Sequence, residues 1–143
     1  MNQIFIKQIG QIVMKVENIK FKAKRLDNNT WVEGYFYAEC GNAYIIEDRQ
    51  SESMLNRNEA HLVDPLTVCQ FTGLKDKDGK HIFENDILYD KDSGIASAIK
   101  WKRHVCGYVY EKAGMFATVH VCASHTSLLK IIGNKFDRKE GEK

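Results

Sequence analysis

Alternating apolar and polar residues dominate the chain from residue 19 onward. In "IKFKAK" (19–24) every second residue is apolar, which is the period of a strand with one buried face. The run "WVEGYFYAE" (31–39) has apolar or aromatic residues on both faces, which indicates a strand that is covered on both sides or lies at a subunit contact. Further short runs of this kind predict an all-β (mainly β) protein: 66–71, 82–83, 86–90, 95–101, 105–111, 115–122 and 128–134.

The two ends of the chain differ from this pattern. Phe5, Ile9, Ile12 and Val16 recur at helical spacing, so residues 1–18 form an amino-terminal extension with a predicted short helix, which Gly10 weakens. Residues 138–143 are mostly charged and are predicted to form a frayed tail. The stretch 47–60 is polar and is predicted to be a long loop or a short helix.

Composition narrows the class of protein only moderately. The chain has 143 residues and a net charge of +2, so it suits one domain or two small subdomains and does not require a polyanionic partner. No apolar run approaches the roughly 20 residues that span a bilayer, and residues 1–16 lack the continuous apolar core of a signal peptide. We therefore predict a cytoplasmic protein without a membrane partner. Four widely spaced cysteines are then expected to be free thiols: Cys40, Cys69, Cys106 and Cys122.

The acidic stretch "FTGLKDKDGKHIFENDIL" (71–88) admits two interpretations, a calcium loop or a hairpin. With Gly79 at position 6 of an EF-hand loop, Leu74 falls at position 1 and Asn85 at position 12, and neither supplies the carboxylate expected there. The Asp-Gly dipeptide instead favours a hairpin, followed by a second turn with Asn85 in a left-handed conformation.

Three stretches together resemble the YopX family, whose members are encoded mainly by bacteriophages and prophages. They are "KFKAKRLDNNTWVEGYFY" (20–37), "VDPLTVCQFTGLKDKDGKHIFENDIL" (63–88) and "IIGNKFD" (131–137). This sequence differs from the family pattern at Asn85, where the family usually has glycine. Family members commonly begin near Met14, so Met14 is a candidate start. The resemblance implies a YopX-like domain over 19–137, with two intimately joined β subdomains at about 19–65 and 66–137.

The second of these subdomains is expected to be similar to an SH3-like barrel. The resemblance also implies a homo-oligomer in the host bacterial cytoplasm. It carries no established catalytic residues, and the chain has no familiar catalytic motif, so we predict a non-enzyme.

A repeated His-Val-Cys tripeptide suggests a metal site. If Lys112–Gly114 closes a hairpin and Glu111 pairs with Met115, then Cys106 faces His120 and His104 faces Cys122. Two histidines and two cysteines on one face would be a set of zinc ligands, with His125 as a substitute. The alternative is a group of buried thiols and hydrogen-bonded histidines without a cofactor.

Basic residues near aromatic ones suggest a single-stranded nucleic-acid site. Its candidate residues are Lys20, Lys22 and Lys24 on one strand and Lys100 and Lys102 around Trp101 on another. The alternative is a solvated face or a guarded sheet edge. Because the net charge is small, we favour a non-catalytic phage or prophage accessory protein that contacts other proteins, either its own copies or a host or phage partner.

Overall fold

The computed structural model describes residues 18–47, 59–111 and 119–137, which form two antiparallel sheets. The first sheet has the strand order β4-β3-β2-β1-β5-β6, and the second has the order β10-β7-β8-β9. The strands of the first sheet are β1 (Phe21–Lys24), β2 (Trp31–Glu39), β3 (Asn42–Ile46), β4 (Ala60–Val63), β5 (Cys69–Lys75) and β6 (His81–Phe83). Those of the second are β7 (Asp86–Asp90), β8 (Ile95–Lys102), β9 (Gly107–Glu111) and β10 (Lys130–Asn134). The mainly β prediction is therefore confirmed.

The long strand β2 holds the first sheet together. Its first half pairs with β1 (Ala23 opposite Val32) and its second half with β3 (Tyr37 opposite Tyr44). The strand changes partner near Gly34, where a Cβ atom would lie 2.0 Å from the Ile46 carbonyl oxygen. Only glycine permits this close approach of β3.

The first four strands curl towards each other. After β1, Arg25 forms a bridge to Val63 of β4, and the flanking backbone hydrogen bonds run from Leu26 to Leu62 and from Asp64 to Lys24. The inward faces bury one apolar cluster, whose members are Ala23, Val32, Ala43, Ile45 and Val63. Ala23 lies in the core as the alternation predicts, but Ile19 is exposed and Lys24 on the opposite face is buried.

The stretch 71–88 is the predicted hairpin. Strands β5 and β6 pair antiparallel, and Asn85 has φ 69°, so the predicted left-handed conformation of Asn85 is confirmed; Gly79 in the hairpin turn also has a positive φ, of 81°. Asp76 is buried, and its carboxylate accepts backbone hydrogen bonds from Asp78, Lys80 and Ile131. Burial raises the pKa of Asp76, but these three hydrogen bonds together outweigh burial and hold that pKa below its ordinary value of 3.8. The carboxylate therefore ties the hairpin to β10.

The second sheet buries its own apolar cluster on the face towards the hairpin. Ile82, Leu88 and Ile99 are its fully buried members. A four-residue helix, Ala123–Thr126, lies between β9 and β10 in the chain. No helix within the three described ranges is long and apolar enough to cross a membrane.

Several elements lie outside the sequence predictions. Strands β3 and β4 and the helix Ala123–Thr126 were not predicted, and residues 65–67 form a short 3-10 helix instead of the start of a strand. The first sheet continues to Phe83, and the division into subdomains at 65/66 stays a prediction. The predicted helix at the amino terminus, residues 115–118 of the predicted strand 115–122 and the tail at 138–143 lie outside the described residues. Residues 119–122 are described and form no strand apart from an isolated bridge at His120. The SH3-like character of the second subdomain stays a prediction.

Candidate functional site

A buried ion pair joins the two sheets. Lys22 of β1 places its Nζ 2.6 Å from Asp86 Oδ1 of β7, and their side chains are only 13% and 1% exposed. The Asp86 carboxylate also accepts hydrogen bonds from the Phe83 backbone N–H at 2.8 Å and from Asn134 Nδ2 at 2.9 Å. The lysine lies over the rings of Trp31 and Phe83, which adds cation–π contacts. These partners satisfy the buried charges, so removing either member of the pair alone would leave an uncompensated charge at the junction of the sheets.

A second contact at this junction involves Asp137, which follows β10. Trp31 donates its indole N–H to Asp137 Oδ1 at 2.7 Å, and Asp137 Oδ2 accepts the backbone N–H of Asn134. Lys24, although charged, is buried with its Nζ 5.4 Å from the Trp31 ring centroid. The three stretches that resemble the YopX family therefore meet at one place in the fold, and each supplies polar contacts there.

The lysines of the predicted nucleic-acid site do not form one open basic surface. Lys22 is paired with Asp86 and Lys24 is buried, so the expected solvated face of β1 is reduced to Lys20, which is half-buried. Lys100 and Lys102 lie in the other sheet, and Trp101 between them points to the opposite face of β8. Nucleic-acid binding by this set stays a prediction.

The His/Cys quartet is not brought together as the sequence predicts. The predicted register of Cys106 opposite His120 is wrong, because Val109 is the residue opposite His120. Hydrogen bonds from Tyr110 to Val119 and from Val121 to Tyr108 fix this register. It is shifted by three residues from the predicted one, and an odd shift moves every side chain to the other face.

The four side chains also belong to different local structures. His104 lies in the short 3-10 helix Arg103–Val105, Cys106 follows it with φ 50°, and Cys122 precedes the helix Ala123–Thr126, which contains His125. Within the part of the chain that the structure describes, only Glu47, Glu59 and His61 bring three metal-ligating atoms within 4.8 Å of one another. The four cysteines are free thiols, as predicted.

An exposed row of apolar side chains crosses the first sheet. Tyr37 of β2 lies opposite Tyr44 of β3, Tyr44 opposite Leu62 of β4, and Leu62 beside Leu26. The two tyrosine rings are 6.0 Å apart, and Tyr37, Leu62 and Leu26 are 45%, 42% and 56% exposed. We call these four residues the aromatic row. Contiguous exposed apolar side chains of this kind mark contact surfaces more often than scattered ones do.

Sequence reasoning found only part of the aromatic row. The two-faced character of 31–39 pointed to Tyr37, but Tyr44 and Leu62 lie on strands that were not predicted. The local signal in the sequence is Gly41, which suits the positive φ that it and Cys40 adopt in the two-residue turn between β2 and β3. A two-residue turn with two such positions favours a tight hairpin and would have placed a strand directly after Gly41.

A groove of about 490 Å³ lies over the second sheet, between β8, the turn after β7 and Leu128–Leu129. Tyr110 lines it, and its hydroxyl is buried without a hydrogen-bond partner among the described residues. Burial is the larger of two causes that raise the pKa of Tyr110 to about 12, and the charge of Cys122 is the smaller one. The phenol is therefore neutral at neutral pH, which makes the lone hydroxyl a cost to stability.

The described residues form a mainly β protein, in which buried polar contacts join two sheets and one sheet presents an exposed apolar row. The family whose sequence pattern matches is described as "YopX protein", and the match covers residues 6–140. The chain therefore belongs to the YopX family. A comparison with curated proteins found no match.

Proposed function

We propose that this protein is a non-catalytic phage or prophage accessory protein that acts through protein–protein contacts as a homo-oligomer. The observation that carries the proposal is the aromatic row, which leaves three large apolar side chains more than two-fifths exposed on one face of a sheet. The row differs from isolated exposed side chains such as Leu66 and Leu128 because its members are contiguous, and contiguous apolar surface marks interfaces more often than scattered residues do.

The composition of the row favours a second copy of the chain as the partner. In a symmetric dimer the same patch meets itself, so charged residues at its centre would face like charges. The row has two tyrosines and two leucines and no charge of its own. Tyrosine is also among the residues that contribute most to interface energies.

Polar side chains lie at both ends of the aromatic row. The Tyr37 hydroxyl hydrogen bonds to Glu39, and this contact, followed by a smaller effect of burial, raises the pKa of Tyr37. Arg25 pairs with Asp27 beside the other end at 2.6 Å. An apolar centre with a polar, solvent-accessible rim is the usual anatomy of a protein interface.

Light scattering coupled to size-exclusion chromatography tests the proposal. We expect the wild-type protein to be oligomeric at micromolar concentration and the variant Tyr37→Ser/Leu62→Lys to be monomeric, because the lysine places a like charge opposite itself in a symmetric contact. The matched control is Leu128→Ser, which removes a side chain that is 73% exposed but lies outside the row. A monomeric wild-type protein contradicts the proposal, as does a variant that keeps the wild-type mass.

Nucleic-acid binding and zinc binding, the two alternatives that the sequence suggested, can be tested separately. Single-stranded nucleic-acid binding would give a salt-dependent mobility shift that is lost in Lys20→Glu/Lys100→Glu, since both lysines contribute charge without being buried. Zinc binding by the quartet would be lost in His120→Ala. No observation from the described residues favours either over the homo-oligomer.

A further inference from the structure

The geometry points to a divalent transition-metal site, for Zn²⁺ in the first place, formed by Glu47, Glu59 and His61. These residues lie far along the chain from the His/Cys quartet, and the site is independent of the proposed function.

The β3–β4 ladder brings the three side chains to one face. Ile45 lies opposite His61 and Ile46 opposite Ala60, and the ladder continues with a hydrogen bond from the Glu47 backbone N–H to the Glu59 carbonyl at 3.1 Å. Residues two apart on a strand, and residues directly opposite each other, share a face. His61 and both glutamates therefore point the same way, beside the buried cluster that contains Ile45.

The distances suit a metal ion. His61 Nε2 is 2.8 Å from Glu47 Oε2 and 3.8 Å from Glu59 Oε2, and all three ligand atoms lie within 4.8 Å of one another. Bonds of about 2.0–2.2 Å from Zn²⁺ to nitrogen and oxygen separate tetrahedral ligand atoms by roughly 3.4 Å. The two separations from His61 Nε2 lie on either side of that value, so modest rotations of the glutamate side chains would bring the ligand atoms to tetrahedral spacing.

His61 Nε2 lies within ion-pair distance of both carboxylates, but it hydrogen bonds to only one of them. The single N–H at His61 Nε2 can donate to Glu47 at 2.8 Å, whereas Glu59 at 3.8 Å is beyond hydrogen-bond range. Both glutamates take part in further interactions, so the inference rests on the positions of the three atoms and not on unpaired charges.

The donor atoms and their burial select the kind of metal. One imidazole nitrogen and two carboxylate oxygens suit Zn²⁺, Mn²⁺ or Fe²⁺, whereas Ca²⁺ and Mg²⁺ prefer sets made only of oxygen. The His61 side chain is only 9% exposed, which fixes the imidazole before any metal arrives. Three protein ligands leave one coordination position open.

Calorimetric titration of ZnCl₂ into the chelator-treated, full-length protein tests the site. We expect one Zn²⁺ per chain, and a loss of affinity in His61→Ala by more than about 100-fold, which is the upper end of what losing an outer-shell partner of a metal ligand costs. Because His61 is nearly buried, Glu59→Gln serves as a second variant. Its side chain is 59% exposed, so the fold tolerates the change, and we expect it to weaken Zn²⁺ binding as well.

The matched control separates this site from the one that the sequence suggested. His104→Ala removes an exposed histidine of the predicted quartet and should leave Zn²⁺ binding unchanged. The inference is overturned if the wild-type protein binds no stoichiometric Zn²⁺. It is also overturned if His104→Ala abolishes binding while Glu59→Gln and a folded His61→Ala keep the wild-type affinity.

Discussion

The buried pair of Lys22 and Asp86 gives the sharpest stability prediction. Breaking a buried ion pair by removing one partner costs about 3–5 kcal/mol, because the other charge stays buried without compensation. Lys22→Met leaves a carboxylate that is 1% exposed with two neutral donors, the Phe83 N–H and the Asn134 amide. We expect a loss of about 4 kcal/mol in the free energy of unfolding.

Asp86→Asn should cost less, about 3 kcal/mol, because the group left behind is better accommodated. The Lys22 ammonium is 13% exposed and keeps its contacts with the Trp31 and Phe83 rings at 4.8 and 4.9 Å. The double variant Lys22→Met/Asp86→Asn carries no buried charge at this position. It should therefore be more stable than Lys22→Met alone, which is a strongly non-additive result.

Urea unfolding followed by tryptophan fluorescence measures all three variants, since Trp31 packs against Lys22. The control is Lys100→Met, which removes a surface contact to Glu111 at 3.7 Å between side chains that are 45% and 39% exposed. It should cost less than about 1 kcal/mol. If the effects of Lys22→Met and Asp86→Asn add to within about 0.5 kcal/mol, the two side chains are not coupled and the reasoning fails.

Three further predictions follow from single side chains. Gly34→Ala should lower the free energy of unfolding by more than about 2 kcal/mol, because the added Cβ would lie 2.0 Å from the Ile46 carbonyl oxygen. The control is Gly107→Ala, whose added Cβ would have its nearest neighbour at 3.7 Å and should have little effect. Tyr110→Phe should leave stability unchanged or raise it by about 1 kcal/mol, since it removes a buried hydroxyl without a partner, and a clear loss in thermal unfolding would show that the hydroxyl is hydrogen-bonded. The lowered pKa of Asp76 stabilises the fold fully above the unfolded-state value of about 3.9, and this contribution is lost as the pH falls through the folded-state value. The stability gap between wild type and Asp76→Asn should therefore shrink below about pH 4, and a gap that grows on acidification would contradict the assignment.

The strands that the sequence predicted correctly are those with a strong local pattern. The boundaries of β2 and β7 agree with the predictions, because two-faced or strictly alternating runs between turn residues leave little choice. The hairpin at 71–88 was recognisable from Asp-Gly and Asn85, whose conformations are local properties. The four-residue strand β4 has no such pattern, and pairing with β3 decides its structure instead.

The candidate sites depended on information that a sequence does not contain. Alternation placed Lys22 and Lys24 on one face of β1, but it could not show that Asp86 and Trp31 would cover that face. The His/Cys quartet required the correct register of two strands, and a three-residue shift is enough to separate its members. The set Glu47, Glu59 and His61 was missed because its geometry follows from the β3–β4 ladder.

The polar junction also constrains how the chain can fold during synthesis. Asp86 lies 64 residues after Lys22, and Asn134 lies 48 residues after Asp86. Contacts of such long range form late, because the entropy of closing the intervening chain must be overcome first. A nascent chain that ends before Asp86 carries Lys22 without its counter-charge, and one that ends before Asn134 lacks the amide that completes the cluster. The cluster of Lys22, Asp86 and Asn134 can therefore be completed only after residue 134 has been synthesised.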